Sequence, residues 1–119
     1  MNQVNYTVLN REALPRDGST FEFQGFHHLD KTVSFIWVDM PPGGKVRLHK
    51  HPYQEIFIML EGVAVFTVGP AALEVRAEQV IIVPSEVPHK FMNAGDRQWK
   101  QLDIRDSDRF ITDWLEEQV

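Results

Sequence analysis

The chain has 119 residues, 43% of them hydrophobic, which suits one globular domain with a modest core and excludes a disordered chain. A net charge of -5 argues against a basic surface built for a phosphate backbone, so no nucleic-acid partner is expected. Cysteine is absent, which excludes disulfides and thiolate sites and leaves nitrogen and oxygen ligands for any metal.

The opening stretch "MNQVNYTVLN" has no basic segment followed by an apolar core, so no secretory leader is visible. No apolar run reaches the roughly 18 residues of a membrane helix. A soluble cytoplasmic protein without a membrane partner is the expectation. "FEFQGF" (21–26) reads as an early strand or a loop. His27 and His28 are adjacent, would face opposite sides of a strand, and read as surface residues.

From there short apolar or alternating runs recur between turn residues. They are "KTVSFIWVDM" (31–40), "KVRLHKH" (45–51), "EIFIML" (55–60) and "VAVFTV" (63–68). "LEVRA" (73–77), "QVIIVP" (79–84), "HKFMN" (89–93) and "QWKQLDI" (98–104) follow. Many short strands bounded by Gly and Pro predict an all-β antiparallel sandwich or barrel over about 31–105, a single domain. After Asp106 and Ser107, which can cap a helix, Phe110, Ile111, Trp114 and Leu115 make an apolar stripe. That spacing predicts a short C-terminal α-helix over about 107–117.

The chemistry concentrates in "LHKHPYQEIFIMLEG" (48–62). Strand parity points His49 and His51 the same way, together with Arg47. Pro52 ends or bends that strand, and Glu55 opens the next one, which returns beside the first. Three potential metal ligands then share one side of a site. A fourth candidate, His89, starts a later strand after the turn bracketed by Pro84 and Pro88. Phe57 and Met59 share the face of Glu55, and Phe91 that of His89, as an apolar pocket wall or as core. Trp99, Gln101 and Asp103 lie on one face of a strand and are candidates for the opposite wall. Arg47 is a candidate for pairing with a ligand carboxylate or phosphate, or with a surface acid. Tyr53, in the turn beside the site, is the candidate catalytic group or seal of the mouth.

These residues also carry a family resemblance. "GGKVRLHKHPYQEIFIMLEG" resembles the first cupin motif, G(x)5HxH(x)3-4E(x)6G, through Gly43, His49, His51, Glu55 and Gly62. "EQVIIVPSEVPHKFMN" resembles the second, G(x)5PxG(x)2H(x)3N, through Pro84, His89 and Asn93, with Glu78 and Glu86 where that motif has glycine. The resemblance implies a small jelly-roll β-barrel, often a homodimer. It also implies one divalent metal on His49, His51, Glu55 and His89, with Fe, Mn, Co, Ni, Cu and Zn all compatible. Three functions then compete. One is a metal-dependent oxygenase or isomerase of a small organic molecule. The others are a module that binds such a ligand without turnover and a barrel that the metal merely clips.

Overall fold

The computed structural model describes residues 6–28 and 32–117. Lys31, the first residue of the strand predicted over 31–40, and the first five residues of the stretch read for a leader lie outside them. In chain order the strands are β1 (Arg16–Asp17), β2 (Thr20–Gln24), β3 (Ser34–Met40), β4 (Lys45–Lys50), β5 (Glu55–Glu61) and β6 (Val63–Val68). β7 (Ala71–Arg76), β8 (Val80–Val83), β9 (His89–Asn93), β10 (Trp99–Arg105) and β11 (Asp113–Trp114) complete the set. "FEFQGF" is therefore strand up to Gln24, followed by a single 3-10 turn at Gly25–His27. His27 is exposed, and His28 is half-buried against the Phe23 ring.

Alternation decides how these strands associate. β3 and β10 both alternate buried and half-buried residues along their whole length. Period two sends every second side chain inward. Two antiparallel sheets result, in the orders β1-β2-β3-β10-β5-β8 and β11-β4-β9-β6-β7. Val38, Met40, Phe57, Met59, Phe66, Phe91 and Trp99 fill the space between them. The expected all-β antiparallel fold is present as two facing sheets, and the strand pairing among the described residues does not close the expected barrel. Gly62 closes the β5–β6 turn at φ +96°, where a Cβ would come within 2.7 Å of the Gln98 carbonyl oxygen.

The predicted C-terminal helix is not there. Residues 107–117 run as an extended strap, and Asp113 and Trp114 pair with Lys50 and His49 as the edge strand β11. Tertiary partners take the backbone groups that a helix would need. The Ile111 N–H donates to the Tyr53 hydroxyl at 3.2 Å, and the Ile111 carbonyl accepts from His51 at 2.8 Å. The Leu115 N–H donates to the Leu48 carbonyl at 2.9 Å. An isolated helix of this length is marginal, whereas the strap pairs with β4 and lines the interior cavity through Phe110, Thr112 and Trp114.

The outer face of the six-stranded sheet is apolar too. Register places Phe23 beside Phe35, Phe35 beside Ile104, Ile104 beside Ile56, and Ile56 beside Ile82. A second row runs Trp37, Leu102, Ile58 and Val80. Directly paired residues share a face. Strands apolar on both faces are ordinarily covered on both. Here Val80 and Ile82 remain 57% and 62% exposed.

Candidate metal centre

β4 carries His49, and an irregularity in β4 aims it. Val46 pairs with Phe91, but His49 pairs with His89, so β4 holds one extra residue between them. Such a bulge reverses the parity that continues beyond it. Val46 and His49 consequently both line the interior, three positions apart. Arg47 goes to the other side. It donates to the Glu116 carbonyl at 2.9 Å and lies 4.1 Å over the Trp114 ring. Parity counted straight through the bulge is what put Arg47 on the ligand face.

His51 follows the end of β4, Glu55 opens β5 and His89 opens β9. All four side chains are buried, and one ligand atom from each lies within 4.8 Å of the others. The three imidazoles are held alike. Nδ1 of His49 meets the Arg47 carbonyl at 2.6 Å, that of His51 the Ile111 carbonyl at 2.8 Å, and that of His89 the Val87 carbonyl at 2.9 Å. A carbonyl only accepts, so each Nδ1 carries a hydrogen and each ring turns its Nε2 inward. His51 Nε2 is buried, 3.4 Å from Glu55 Oε1, with no hydrogen-bond partner among the described residues. His89 Nε2 lies 2.9 Å from Glu55 Oε1.

Burial holds the His49 imidazole down to about 3, so the ring is neutral. Burial pushes the Glu55 carboxyl up, but the Arg105 guanidinium outweighs this and holds it well below the usual carboxylate range. Arg105 Nε donates to Glu55 Oε2 at 2.9 Å, which leaves Oε1 for the centre. Three inward Nε2 atoms and an ionised carboxylate oxygen are the donor set that a divalent cation takes. The residues fit such an ion.

A pH dependence follows. An imidazole that titrates near 6.5 when unfolded and near 3 when folded binds its proton preferentially in the unfolded chain. The stability it supports is complete above pH 6.5 and is lost as pH falls toward 3. Urea titrations in chelator should show a loss on the order of a few kcal/mol across that window. A flat profile would contradict a buried neutral His49.

A cavity of about 410 Å³ opens beside the four donors. His49, Glu55, Phe57, Phe91, Asp103 and Arg105 reach it, with Ile36, Val38 and Phe110 as further apolar wall. Among the other predicted pocket residues, Met59, Trp99 and Gln101 are fully buried in the interior rather than on the cavity wall. Tyr53 stacks on His51 at 4.9 Å and turns its hydroxyl to the Ile111 N–H and, at 3.5 Å, to Arg105. Two contributors were not singled out from sequence: Arg105, and Ile111 in the strap. Parity along β10 would have reached Arg105, two residues beyond Asp103. No sequence pattern announces a backbone carbonyl as the support of His51.

The two glutamates at motif glycine positions both adopt left-handed backbone, Glu78 at φ 74° and Glu86 at φ 67°. The turns keep the geometry that glycine serves, with side chains that disfavour it. Glu78→Gly and Glu86→Gly should each raise stability by about 0.5–1 kcal/mol, read as a higher thermal midpoint. A loss in both would mean that the glutamate side chains outweigh the backbone.

Residues 36–105, more than half of the chain, match the family model of the cupin domain. The chain belongs to the cupin family. An uncharacterised protein of Methanocaldococcus jannaschii is 38% identical over 64 residues, 53% of this chain and 51% of that protein. The polyketide synthase CurC of Streptomyces cyaneus is 33% identical over 64 residues, 53% of this chain and 42% of its own. This cupin thus spans about half the length of the curated relatives it matches, or less. Among solved structures, the Mn(II)-containing oxalate decarboxylase of Bacillus subtilis superposes with a TM-score of 0.73 at 26% identity. That match covers 81% of this chain and 27% of the decarboxylase.

Proposed function

We propose that this cupin holds one divalent transition metal on Nε2 of His49, His51 and His89 and on Oε1 of Glu55, and that it acts there on a small organic molecule. The observation that carries the reading is the buried Nε2 of His51, which has no hydrogen-bond partner among the described residues and faces the Nε2 atoms of two further histidines and Glu55 Oε1. Likeness to proteins of oxalate and polyketide chemistry supports a small oxygen-bearing ligand. A bound ion would supply Lewis-acid polarisation or, if redox-active, oxygenase-type electron transfer.

The chain's own groups set the rest. Arg105 keeps Glu55 ionised and fixes which of its oxygens faces the centre. The three backbone carbonyls fix the rings. Phe57, Phe91 and Phe110 keep water from the cavity wall. Tyr53 serves as a positioning residue, because its hydroxyl is committed to the strap. That commitment favours the second reading, a module that binds its ligand without turnover, over any mechanism that draws its acid from Tyr53.

Metal analysis tests the site. Native protein should hold about one divalent ion per chain, and His49→Ala combined with His51→Ala should hold none. Full retention in that folded double variant would sink the assignment. Oxygen uptake by native protein over a panel of small oxygen-bearing molecules separates turnover from binding. We also propose that two copies of the chain associate through the apolar outer face of the six-stranded sheet.

A further inference from the structure

β10 ends on Arg105, which is 7% exposed and lines the cavity. Its guanidinium is held on three sides. Nε donates to Glu55 Oε2 at 2.9 Å, Nη1 donates to the Tyr53 hydroxyl at 3.5 Å, and the Phe110 ring lies against its face at 4.9 Å. Nη2 has no hydrogen bond among the described residues. Glu55 is the one acid within ion-pair distance of Arg105 among those residues. A guanidinium carries five N–H groups and does not give up its charge in a protein. Arg105 therefore brings a buried, immobilised cation to the cavity wall with donors to spare.

Its position separates it from the other charges of the wall. Strand pairing sets Arg105 opposite Glu55, so it borders the candidate metal centre. Lys45 reaches the cavity from the far end of β4, is exposed, and borders the outer face of its sheet as well. The half-buried and buried acids of the wall have donors of their own. Thr20 Oγ1 donates to Glu22 Oε2 at 3.2 Å, and Gln101 Nε2 donates to Asp103 Oδ1 at 2.6 Å. Phe57, Phe91 and Phe110 supply apolar wall, and a charge-assisted hydrogen bond is stronger in such surroundings than in water. One guanidinium that already shares its charge with Glu55 matches a planar group of single negative charge. A doubly charged phosphate would need several further donors.

We propose that Arg105 Nη2 anchors the carboxylate of the cavity's ligand, a small carboxylic acid anion with an apolar body. This deepens the function proposed above and rests on its metal centre for the ligand's second anchor. Arg105 then has two tasks, holding Glu55 with Nε and the ligand with Nη2. It takes the ligand-pairing role that strand parity had offered to Arg47.

The test is calorimetric titration of Zn(II)-loaded protein at neutral pH with benzoate and benzamide, one skeleton with and without the charge. Native protein should bind benzoate at least about tenfold more tightly than benzamide. Arg105→Lys keeps a cation beside Glu55 and removes Nη2. At equal zinc content it should weaken benzoate about tenfold and benzamide less than about twofold. Lys45→Met should change benzoate binding less than about twofold, because an exposed ammonium is screened. Equal losses of both probes in Arg105→Lys, no loss of benzoate there, or a benzoate loss that follows Lys45→Met instead each overturn the proposal. Native protein gives a second reading if Arg105→Lys does not fold. The side-chain N–H signals of Arg105, assigned through contact with the Phe110 ring, should shift at benzoate saturation and stay unmoved with benzamide. Signals that benzoate leaves unmoved overturn the proposal. Circular dichroism and elemental analysis accompany each sample. A folded native chain that takes up no zinc overturns the metal centre, and benzoate titration of that metal-free protein still reads the Arg105 contact.

Discussion

Arg105→Met is expected to cost about 3–5 kcal/mol of stability in metal-free protein, the largest loss from any single change at the site. Glu55 is 1% exposed, and Arg105 Nε is the one cation-borne donor on its Oε2. Removing the guanidinium leaves a buried carboxylate facing imidazole lone pairs. The double variant Arg105→Met with Glu55→Leu should recover most of that loss, because well-packed apolar groups of similar volume replace a buried ion pair at little net cost. It should also lose the metal. Urea denaturation and elemental analysis on the three proteins read both effects together. If the double variant is no more stable than the single, the ion pair is structural in its own right. If it keeps its metal, Glu55 is no ligand. The expected pattern, stability restored and metal lost, identifies a charge retained for function rather than for the fold.

The strands were legible because their runs are rich in apolar and β-branched residues and their turns carry Gly or Pro. β3, β5, β6 and β9 could be read as short apolar or alternating runs between turn residues. The ligand set was legible for a related reason. His51 and Glu55 flank the proline-marked turn between β4 and β5, and His89 follows a second proline turn, so local chain geometry aims each one. Arg47 shows where parity breaks. One extra residue in β4 leaves no mark in the sequence, and it sends Val46 inward and Arg47 out over Trp114.

The C-terminal strap fails for the opposite reason. Its apolar spacing fits a helix, but its backbone groups are claimed by Tyr53, His51 and Leu48, all distant in sequence. Tertiary hydrogen bonds overrode a local preference. The same contacts make the strap a support of the metal centre, since the Ile111 carbonyl sets the His51 tautomer. Asp103 was visible as one of three residues on a strand face.

Ile58→Arg is expected to convert a dimer into a monomer, weakening association by at least about 100-fold. Ile58 lies at the middle of the apolar rows, between Leu102 and Val80. The face spans β2, β3, β10, β5 and β8, about 20 Å across at ordinary strand spacing. At its margin Lys100 pairs with Glu61 at 3.3 Å, and Arg11 lies 3.0 Å from Glu12 and 3.4 Å from Asp39. Two copies related by a two-fold axis can bring these faces together, and a self-complementary apolar patch is what such an axis needs. An arginine at position 58 would meet its own symmetry mate or apolar neighbours, unpaired in either case. It should leave the inner face untouched, because Ile58 points away from the core, so circular dichroism and metal content should match the native protein. Sedimentation equilibrium at micromolar concentration reads the outcome. A native chain that sediments as a monomer removes the proposed partner, and a variant that stays dimeric moves the interface elsewhere.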